Sequence, residues 1–212
     1  MSETLTLSSL PLFPLETVLF PDGALPLRIF EVRYLDMIKK CHQTGAPFGV
    51  VALTQGSEVR RPQGDAEAFH DIGTLASITA LEAPQPGLML LHCHGQQRFR
   101  ITRREQLKHG LWIAEVQHLA NDLPVAVPAD LKGVAEAFVK VMQALRARQG
   151  ANTSPSFFTE SARLDDCGWL ANRWCELLAI PLELKQRMMA LDNPLVRLEL
   201  VSDLLARTGI AP

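Results

Sequence analysis

Two histidines spaced for one face of a strand are the first residues whose types suggest chemistry. His92 and His94 lie two residues apart in the segment 88–101, so both side chains point the same way if this segment is extended. Imidazole pairs of this kind can bind a metal ion. Cys93 points to the opposite face and no third ligand is predictable nearby, so the pattern favours the polar outer face of a half-buried sheet. We predict no metal and no cofactor.

A run of basic residues follows on the same strand: Arg98, Arg100, Arg103, Arg104 and Lys108, with Glu105 opposing them. Such a run can bind nucleic acid or phosphate. No aromatic stacking platform accompanies it, so a solvated strand face is the favoured interpretation. Arg60 and Arg61 in a separate loop are a weaker case.

The cysteines offer little for catalysis. There are four of them, Cys41, Cys93, Cys167 and Cys175, with no CxxC pair and no dense framework. Reduced, buried thiols are the favoured interpretation. Phosphate-loop, nucleophile-elbow and zinc-protease patterns are also missing from the sequence. The sequence therefore predicts no catalytic residue and no enzyme.

Residues 10–40 carry the most informative pattern. Two apolar segments, Leu10–Leu15 and Ala24–Ile29, flank a Phe-Pro-Asp-Gly loop at 20–23, and a helix start follows at Phe30–Glu31. Prolines within these segments remove backbone donors, so the strands should lie at edges or contain bulges. An apolar stretch of this kind must be covered by the domain or bind a partner. The candidate contacts for an extended apolar peptide are Phe20, Leu27, Arg28, Phe30, Glu31, Arg33 and Tyr34. In the alternative interpretation Phe20, Phe30 and Tyr34 are core residues, and Glu31 and Arg33 only begin the helix.

The elements that must position these residues change type along the chain. The first part predicts strands at Phe48–Leu53, Ile72–Leu81, Leu88–Ile101 and Trp112–His118, a helix at Glu31–Gln43 and a long loop at Thr54–His70. Gly95 is expected to mark a bulge. In the second part the period changes to 3.6, and helices are predicted at Pro128–Gln149, from Asp165 or Asp166 to about Leu178, at Leu182–Leu191 and from Asn193 to before Gly209. Gly150 is expected to end the first of these.

The fold class is therefore α+β, with a β-barrel-like or β-sandwich-like domain at 1–120 and a helical domain at 121–212. The net charge of −2 gives no support to nucleic-acid binding. No signal peptide or membrane span is predicted, and the cysteine usage indicates a cytoplasmic protein.

The opening run resembles the N-terminal substrate-binding domain of Lon-type ATP-dependent proteases, of the peptidase S16 family. LPLFPLETVLFPDGALPLRIFEVRY is similar to the LPLFPL…VLFPG…LPL.IFE.RY pattern of its short stand-alone bacterial members. The segments 48–53, 72–76, 95–101 and 182–205 match further family segments in the same order. Val32 departs from a common proline, and Asp22-Gly23 from a single glycine.

The resemblance implies a PUA-like β pseudo-barrel followed by a C-terminal α-helical bundle. It also implies recognition of unfolded or degron-bearing polypeptides. The ATPase and Ser–Lys protease domains that follow in full-length Lon proteases have no counterpart in this sequence. We thus expect a non-catalytic polypeptide-binding module, with a separate protease or chaperone as a further expected partner. Alternatives are an RNA-binding PUA-like protein, disfavoured by charge, and a small-molecule-binding or enzymatic protein that uses a pocket between barrel and helices.

Overall fold

The computed structural model describes residues 6–59, 66–149 and 163–210. The predicted loop residues Arg60 and Arg61 and the predicted helix stop Gly150 lie outside the described residues. In chain order the elements are β1 (Thr6–Leu15), β2 (Ala24–Ile29), α1 (Val32–Thr44), β3 (Phe48–Gln55), β4 (Ala68–Phe69), β5 (Ile72–Gln85), β6 (Leu88–Gln106), β7 (Trp112–His118), a 3-10 helix (Ala129–Leu131), α2 (Lys132–Gln149), α3 (Cys167–Leu177), α4 (Leu182–Ala190) and α5 (Pro194–Thr208).

The chain divides into two compact units. One comprises Met1–Asn121 together with Pro181–Gln186, and the other Asp122–Ile180 together with Arg187–Pro212. The first contains the strands and α1, and the second contains most of the helical residues. The structure is thus mixed α and β, as predicted. Among the described helices, none has the length and apolar character that crossing a membrane requires.

The strands of the first unit form one large, mainly antiparallel sheet. Its strand order is β1-β7-β6-β5-β3, and β1 also pairs in parallel with β3, so these five strands close into a ring. β2 is attached to β6, and β4 is attached to β3. One apolar cluster inside this unit joins strand residues such as Phe48 and Leu91 to Ile38 of α1.

The prolines of the opening run are accommodated in two ways. β2 carries Pro26 and pairs with β6, with no second strand against it among the described residues, as predicted for an edge strand. β1 instead lies between β7 and β3. Pro11 is in register with β7 and Pro14 with β3, so each proline faces one partner strand only. The register shift in β1, between Leu7 and Leu10, lies before the proline-containing segment.

A tight turn connects the opening strands and fixes where β2 begins. Asp22 has a φ of 61°, and its N–H donates to the Gly95 carbonyl at 2.8 Å. The Gly95 N–H in turn donates to the Gly23 carbonyl at 2.7 Å. A Cβ at position 95 would lie 2.2 Å from the Phe20 carbonyl oxygen, so only glycine fits against the turn.

Strand β6 alternates as predicted until Gly95. Leu91 and Cys93 are buried while His92 and His94 are exposed. Beyond Gly95 the alternation of buried and exposed side chains is offset by one residue. At the register shift Ala76 pairs with Gly95 and Thr74 with Arg98, so β6 has one more residue than β5 in this stretch. The prediction that Arg98 faces outward is therefore wrong: this side chain is 4% exposed.

Other boundaries also differ from the sequence prediction. β5 and β6 extend further than expected, to Gln85 and Gln106. The predicted loop at 54–70 contains a short strand, Ala68–Phe69, which pairs with β3. A two-residue strand leaves too little periodicity to be detected from sequence.

The helix ends follow the expected capping chemistry. The Asp166 carboxylate accepts the Trp169 N–H at 2.7 Å at the start of α3, and the Asn193 side chain accepts the Leu195 N–H at 3.0 Å at the start of α5. Gly209, at φ 67°, ends α5. The second unit also holds a buried arginine, Arg197, whose guanidinium donates to Asp122, Asn172 and the carbonyls of Met188 and Leu191.

Candidate functional site

A cleft of about 310 Å³ opens beside strand β2 in the first unit. Strand ends and short loops form its walls, and they contribute apolar side chains together with a few charged ones. Its lining residues are Phe13, Leu15, Pro26, Leu27, Arg28, Ile29, Phe30, Glu31, Tyr34, Glu58 and Val59.

Four neighbouring parts of the fold position this lining. The end of β1 supplies Phe13 and Leu15, and β2 with the junction to α1 supplies the residues 26–31. Tyr34 comes from the first turn of α1. The segment after β3 contributes Glu58 and Val59. Because β1, β2 and α1 are consecutive in sequence, most of the cleft is encoded by one continuous run.

Tyr34 lies at the apolar side of the cleft and is 2% exposed. Its ring centroid lies 4.1 Å from that of Phe13. Burial raises the pKa of the Tyr34 phenol, and the nearby carboxylates of Glu67 and Glu31 act in the same direction. The phenol therefore stays protonated at neutral pH. No hydrogen bond to its hydroxyl is found among the described residues.

The rim is partly apolar and exposed. The residue Phe30 is 52% exposed and Val59 is 45% exposed, although both are large apolar residues. Arg28 is exposed as well. The Glu58 carboxylate accepts the backbone N–H of Glu16 at 2.6 Å, which ties the segment after β3 to the end of β1.

Arg33 lies in a buried network rather than in the cleft lining. Its guanidinium donates to both carboxylate oxygens of Glu67, at 2.7 and 3.3 Å, to Glu31 at 3.1 Å and to the Gly110 carbonyl at 3.0 Å. Trp112 donates its indole N–H to Glu67 at 2.7 Å. Burial alone would lower the pKa of Arg33, but the hydrogen bond that Arg33 donates to Glu67 and the surrounding negative charge outweigh it, and the net shift is upward.

Five of the seven candidate contacts predicted from the sequence come together in the cleft: Leu27, Arg28, Phe30, Glu31 and Tyr34. The other two do not reach it. Phe20 is 0% exposed, since its turn packs against β6. Arg33 forms a buried ion pair with Glu67 instead, and no local sequence pattern predicts this pair.

Sequence reasoning missed the remaining lining residues. Phe13, Leu15, Pro26 and Ile29 belong to the opening run but were assigned only to strands. Glu58 and Val59 lie in the predicted long loop at Thr54–His70, and loops of this length are often functional. Their approach to β2 depends on how β3 pairs within the sheet, which is a long-range feature.

The basic run does not form one continuous patch. The Arg98 guanidinium is buried and donates to the Ala120 carbonyl at 3.3 Å. Arg103 pairs with Glu115 at 3.5 Å, and Arg104 pairs with Asp71 at 3.2 Å while lying over the Phe69 ring. These three arginines therefore form hydrogen bonds or ion pairs with acceptors of the same unit.

The histidines and cysteines do not assemble into a site for metal or thiol chemistry in the described residues. His94 lies 3.8 Å from Asp22, and no group of three or more His, Cys, Asp or Glu side chains suited to a metal is present in the described ranges. All four cysteines are free and buried. Burial raises the pKa of the Cys93 thiol to about 12, which suppresses the reactive thiolate.

Comparisons with known proteins agree with the pattern of the opening run. Residues 9–207 match the family described as the ATP-dependent protease La (LON) substrate-binding domain. A Lon protease of Anaeromyxobacter dehalogenans is 27% identical over 205 residues, which cover 93% of this chain and 23% of that protein. Lon protease 2 of Myxococcus xanthus is 28% identical over 205 residues, with the same coverage of both chains. The chain thus spans about a quarter of the length of the curated relatives it matches.

Solved structures show the same fold. A Lon N-terminal domain protein from Xanthomonas campestris superposes with a TM-score of 0.69 at 28% identity, covering 94% of this chain and 98% of that one. The N-terminal domain of a Mycobacterium avium complex Lon protease gives a TM-score of 0.58 at 15% identity, covering 92% and 97% of the two chains, and supports the fold alone. The family match concerns the region named for substrate binding. The chain belongs to the family of ATP-dependent protease La (LON) substrate-binding domains.

Proposed function

We propose that this protein is a non-catalytic module that binds unfolded or degron-bearing polypeptides in the cleft beside β2. The observation that carries the proposal is the cleft itself, where a buried apolar floor meets an exposed aromatic rim at Phe30. Large apolar side chains left exposed around a concave site are typical of a binding surface. Membership of a substrate-binding family supports the same function.

The contacts divide by role. Phe13, Leu15 and Tyr34 provide an apolar surface for a large side chain, and Phe30 and Val59 can close over it. Aromatic anchors of this kind supply most of the energy in many peptide interfaces. Arg28, Glu31 and Glu58 lie at the rim, where they can select among residues flanking the anchor.

The module is proposed to have no enzymatic activity. The family match covers the substrate-binding domain, and the described residues show no cluster that would support catalysis by metal or activated thiol. Bound polypeptides would then be passed to a protease or chaperone. We further propose a PUA-like barrel at 1–120, a helical bundle at 121–212 and a cytoplasmic location.

Binding of an unfolded polypeptide tests the function directly. The probe is a fluorescently labelled globular protein whose disulfides have been reduced and alkylated, compared with the same protein in its native fold. We expect micromolar or tighter binding of the unfolded form, measured by fluorescence anisotropy, and none of the native form. Equal or absent binding of both would contradict the proposal.

A matched pair of variants locates the site. Phe30→Ala should weaken binding about tenfold, because removing an aromatic anchor costs roughly 1–2 kcal/mol or more. Leu123→Ala removes an apolar residue that is 78% exposed in the other unit and should leave the affinity unchanged. Thermal melts check that both variants remain folded.

A further inference from the structure

Strand β2 has one edge that no other strand covers. On one side it pairs antiparallel with β6, in the register Ala24 with His94 through Ile29 with Met89. On the other side none of the strands in the described residues pairs with it. The residues Pro26 to Ile29 of this strand also form a wall of the cleft.

Hydrogen bonds around β6 show which backbone groups face that open edge. The Gly95 N–H donates to the Gly23 carbonyl, so Gly23 and Gly95 form a hydrogen-bonded pair. In antiparallel strands, hydrogen-bonded and non-hydrogen-bonded pairs alternate. Counting from Gly23, the odd-numbered residues of β2 form the hydrogen-bonded pairs with β6. Two pairs are therefore not hydrogen-bonded: Pro26 with His92, and Arg28 with Leu90. Their backbone N–H and C=O groups therefore point away from β6.

Side-chain hydrogen bonds on β5 support the same alternation. The Thr79 hydroxyl donates to the His92 carbonyl at 2.9 Å, and the Ser77 hydroxyl donates to the His94 carbonyl at 3.4 Å. Both carbonyls thus point toward β5 and away from β2. Position 26 is also where a ladder tolerates proline, because the missing donor would have faced outward.

The open edge consequently presents a short, specific pattern. Arg28 offers one donor and one acceptor, which is what a single residue of an added antiparallel strand can satisfy in full. Pro26 offers only its carbonyl. Side chains on β2 alternate, with Leu27 and Ile29 packing inward and Arg28 outward. A strand added at this edge would therefore direct every second side chain toward the cleft floor.

We propose that a bound polypeptide adds as a short antiparallel strand to the edge of β2 at Arg28, with one large apolar side chain entering the cleft. This inference rests on the proposed function and specifies how the polypeptide is held. Main-chain pairing suits a module that binds many sequences, because the backbone is common to all of them and only the anchor is selected.

A second copy of this chain fits the edge poorly. Pairing β2 with β2 about a two-fold axis at Arg28 would place two guanidinium groups opposite each other, which is unfavourable. Pairing about Leu27 would oppose Arg28 to Pro26 and leave each bonded pair without one donor. An extended partner without proline at the pairing position meets neither obstacle.

Backbone-modified peptides provide the test. The probe is an unstructured peptide of roughly a dozen residues with one tryptophan among Gly, Ser and Ala, compared with variants N-methylated at one residue each. We expect methylation at one position near the tryptophan to weaken binding about tenfold, since an N–H to carbonyl bond is lost and the methyl group blocks approach. Methylation at the adjacent positions should have little effect.

The outcomes separate the two proposals. If the unmodified peptide binds and every methylated peptide binds equally well, strand addition is wrong while polypeptide binding stands. If neither the unmodified peptide nor the unfolded protein probe binds, the proposed function fails and this inference fails with it.

A pair of protein variants tests the same hydrogen bonds by changing β2 instead of the peptide. Arg28→Pro removes the outward N–H, whereas Arg28→Ala removes the same side chain and keeps that donor. We expect the proline variant to bind the peptide at least about fivefold more weakly than the alanine variant.

Sedimentation must show that the protein is a monomer. A dimer that Arg28→Pro abolishes and Arg28→Ala does not would mean that a second copy covers the edge, which would overturn the inference. The peptide series decides the matter if the proline variant does not fold.

Discussion

Arg33 and Phe30 lie three residues apart, yet they occupy opposite environments. The charged side chain is buried, 5% exposed, among Glu31, Glu67 and the Gly110 carbonyl. The aromatic residue is 52% exposed at the rim of a cleft. This inverts the usual distribution, in which large apolar residues are buried and arginine is exposed.

The inversion separates a structural region from a binding region. Burying a guanidinium is tolerated because its donors are satisfied by carboxylates and a carbonyl, and these contacts join the start of α1 to residues far along the chain. For the exposed Phe30, no such compensating contact is found among the described residues. An uncompensated exposed aromatic residue beside a cleft is thus the better indicator of a partner.

Arg33→Ala is the strongest test of the structural half of the comparison. The variant leaves the Glu67 carboxylate, 8% exposed, without its guanidinium partner. We expect the free energy of unfolding to fall by about 3–5 kcal/mol, measured by urea denaturation. Arg33→Met, which keeps the volume, should be almost as damaging while Glu67 remains. A loss of polypeptide binding at full stability would instead place Arg33 in the binding region.

Gly95→Ala tests whether the binding region depends on a distant backbone contact. The added Cβ would meet the Phe20 carbonyl at 2.2 Å, so the turn that begins β2 must shift. We expect a loss of about 1–3 kcal/mol in the free energy of unfolding and weaker peptide binding, although no cleft residue changes. The neighbouring exposed residue provides the control: Gln96→Ala should alter neither quantity.

Tyr34 contacts both regions, since Arg33 lies over its ring and Phe13 packs against it. Its raised pKa favours the protonated form in the folded state, so this contribution to stability is complete below about pH 10 and decreases as the pH rises above that. We expect Tyr34→Phe to match the wild type at pH 7 and to retain about 1 kcal/mol more stability at pH 11.

Because Tyr34 is the only tyrosine in the sequence, absorbance near 295 nm reports its ionisation alone. The folded wild type should show no phenolate signal at pH 10, where half of an unperturbed phenol would be ionised. A normal titration midpoint in the folded protein would show that the cleft floor is open to water.

Arg28→Ala should have the smallest effect on stability. This exposed side chain has no ion-pair partner among the described residues, in contrast to Arg33. We expect the free energy of unfolding to change by less than about 0.5 kcal/mol in urea denaturation. A loss comparable to that of Arg33→Ala would remove the distinction between the two arginines.

The sequence predicts element types well where they depend on local chemistry. The bounds of β2 and β7 and the caps at Asp166 and Asn193 follow from proline, alternation and short polar side chains. Family resemblance adds the fold. The orientation of Arg98 could not be derived, because it depends on a bulge opposite β5.

The candidate site was predictable only as a run of residues. Leu27, Arg28 and Phe30 share a short segment, and sequence reasoning grouped them for that reason. Separating Arg33 from them requires knowing that Glu67 and Gly110 approach α1, and these residues lie far away in sequence. Long-range partners decide which members of a promising segment are structural.

The closed ring also sets an order for folding as the chain is synthesised. β1 pairs with β7, whose residues, such as Ala114 opposite Leu10, lie on the order of a hundred positions later. Until β7 leaves the ribosome, β3 is the one strand among the described residues that can pair with the proline-containing first strand. The nascent domain therefore exposes apolar strand surface of the same kind as the polypeptides it is proposed to bind, and closure by β7 is the step that conceals it.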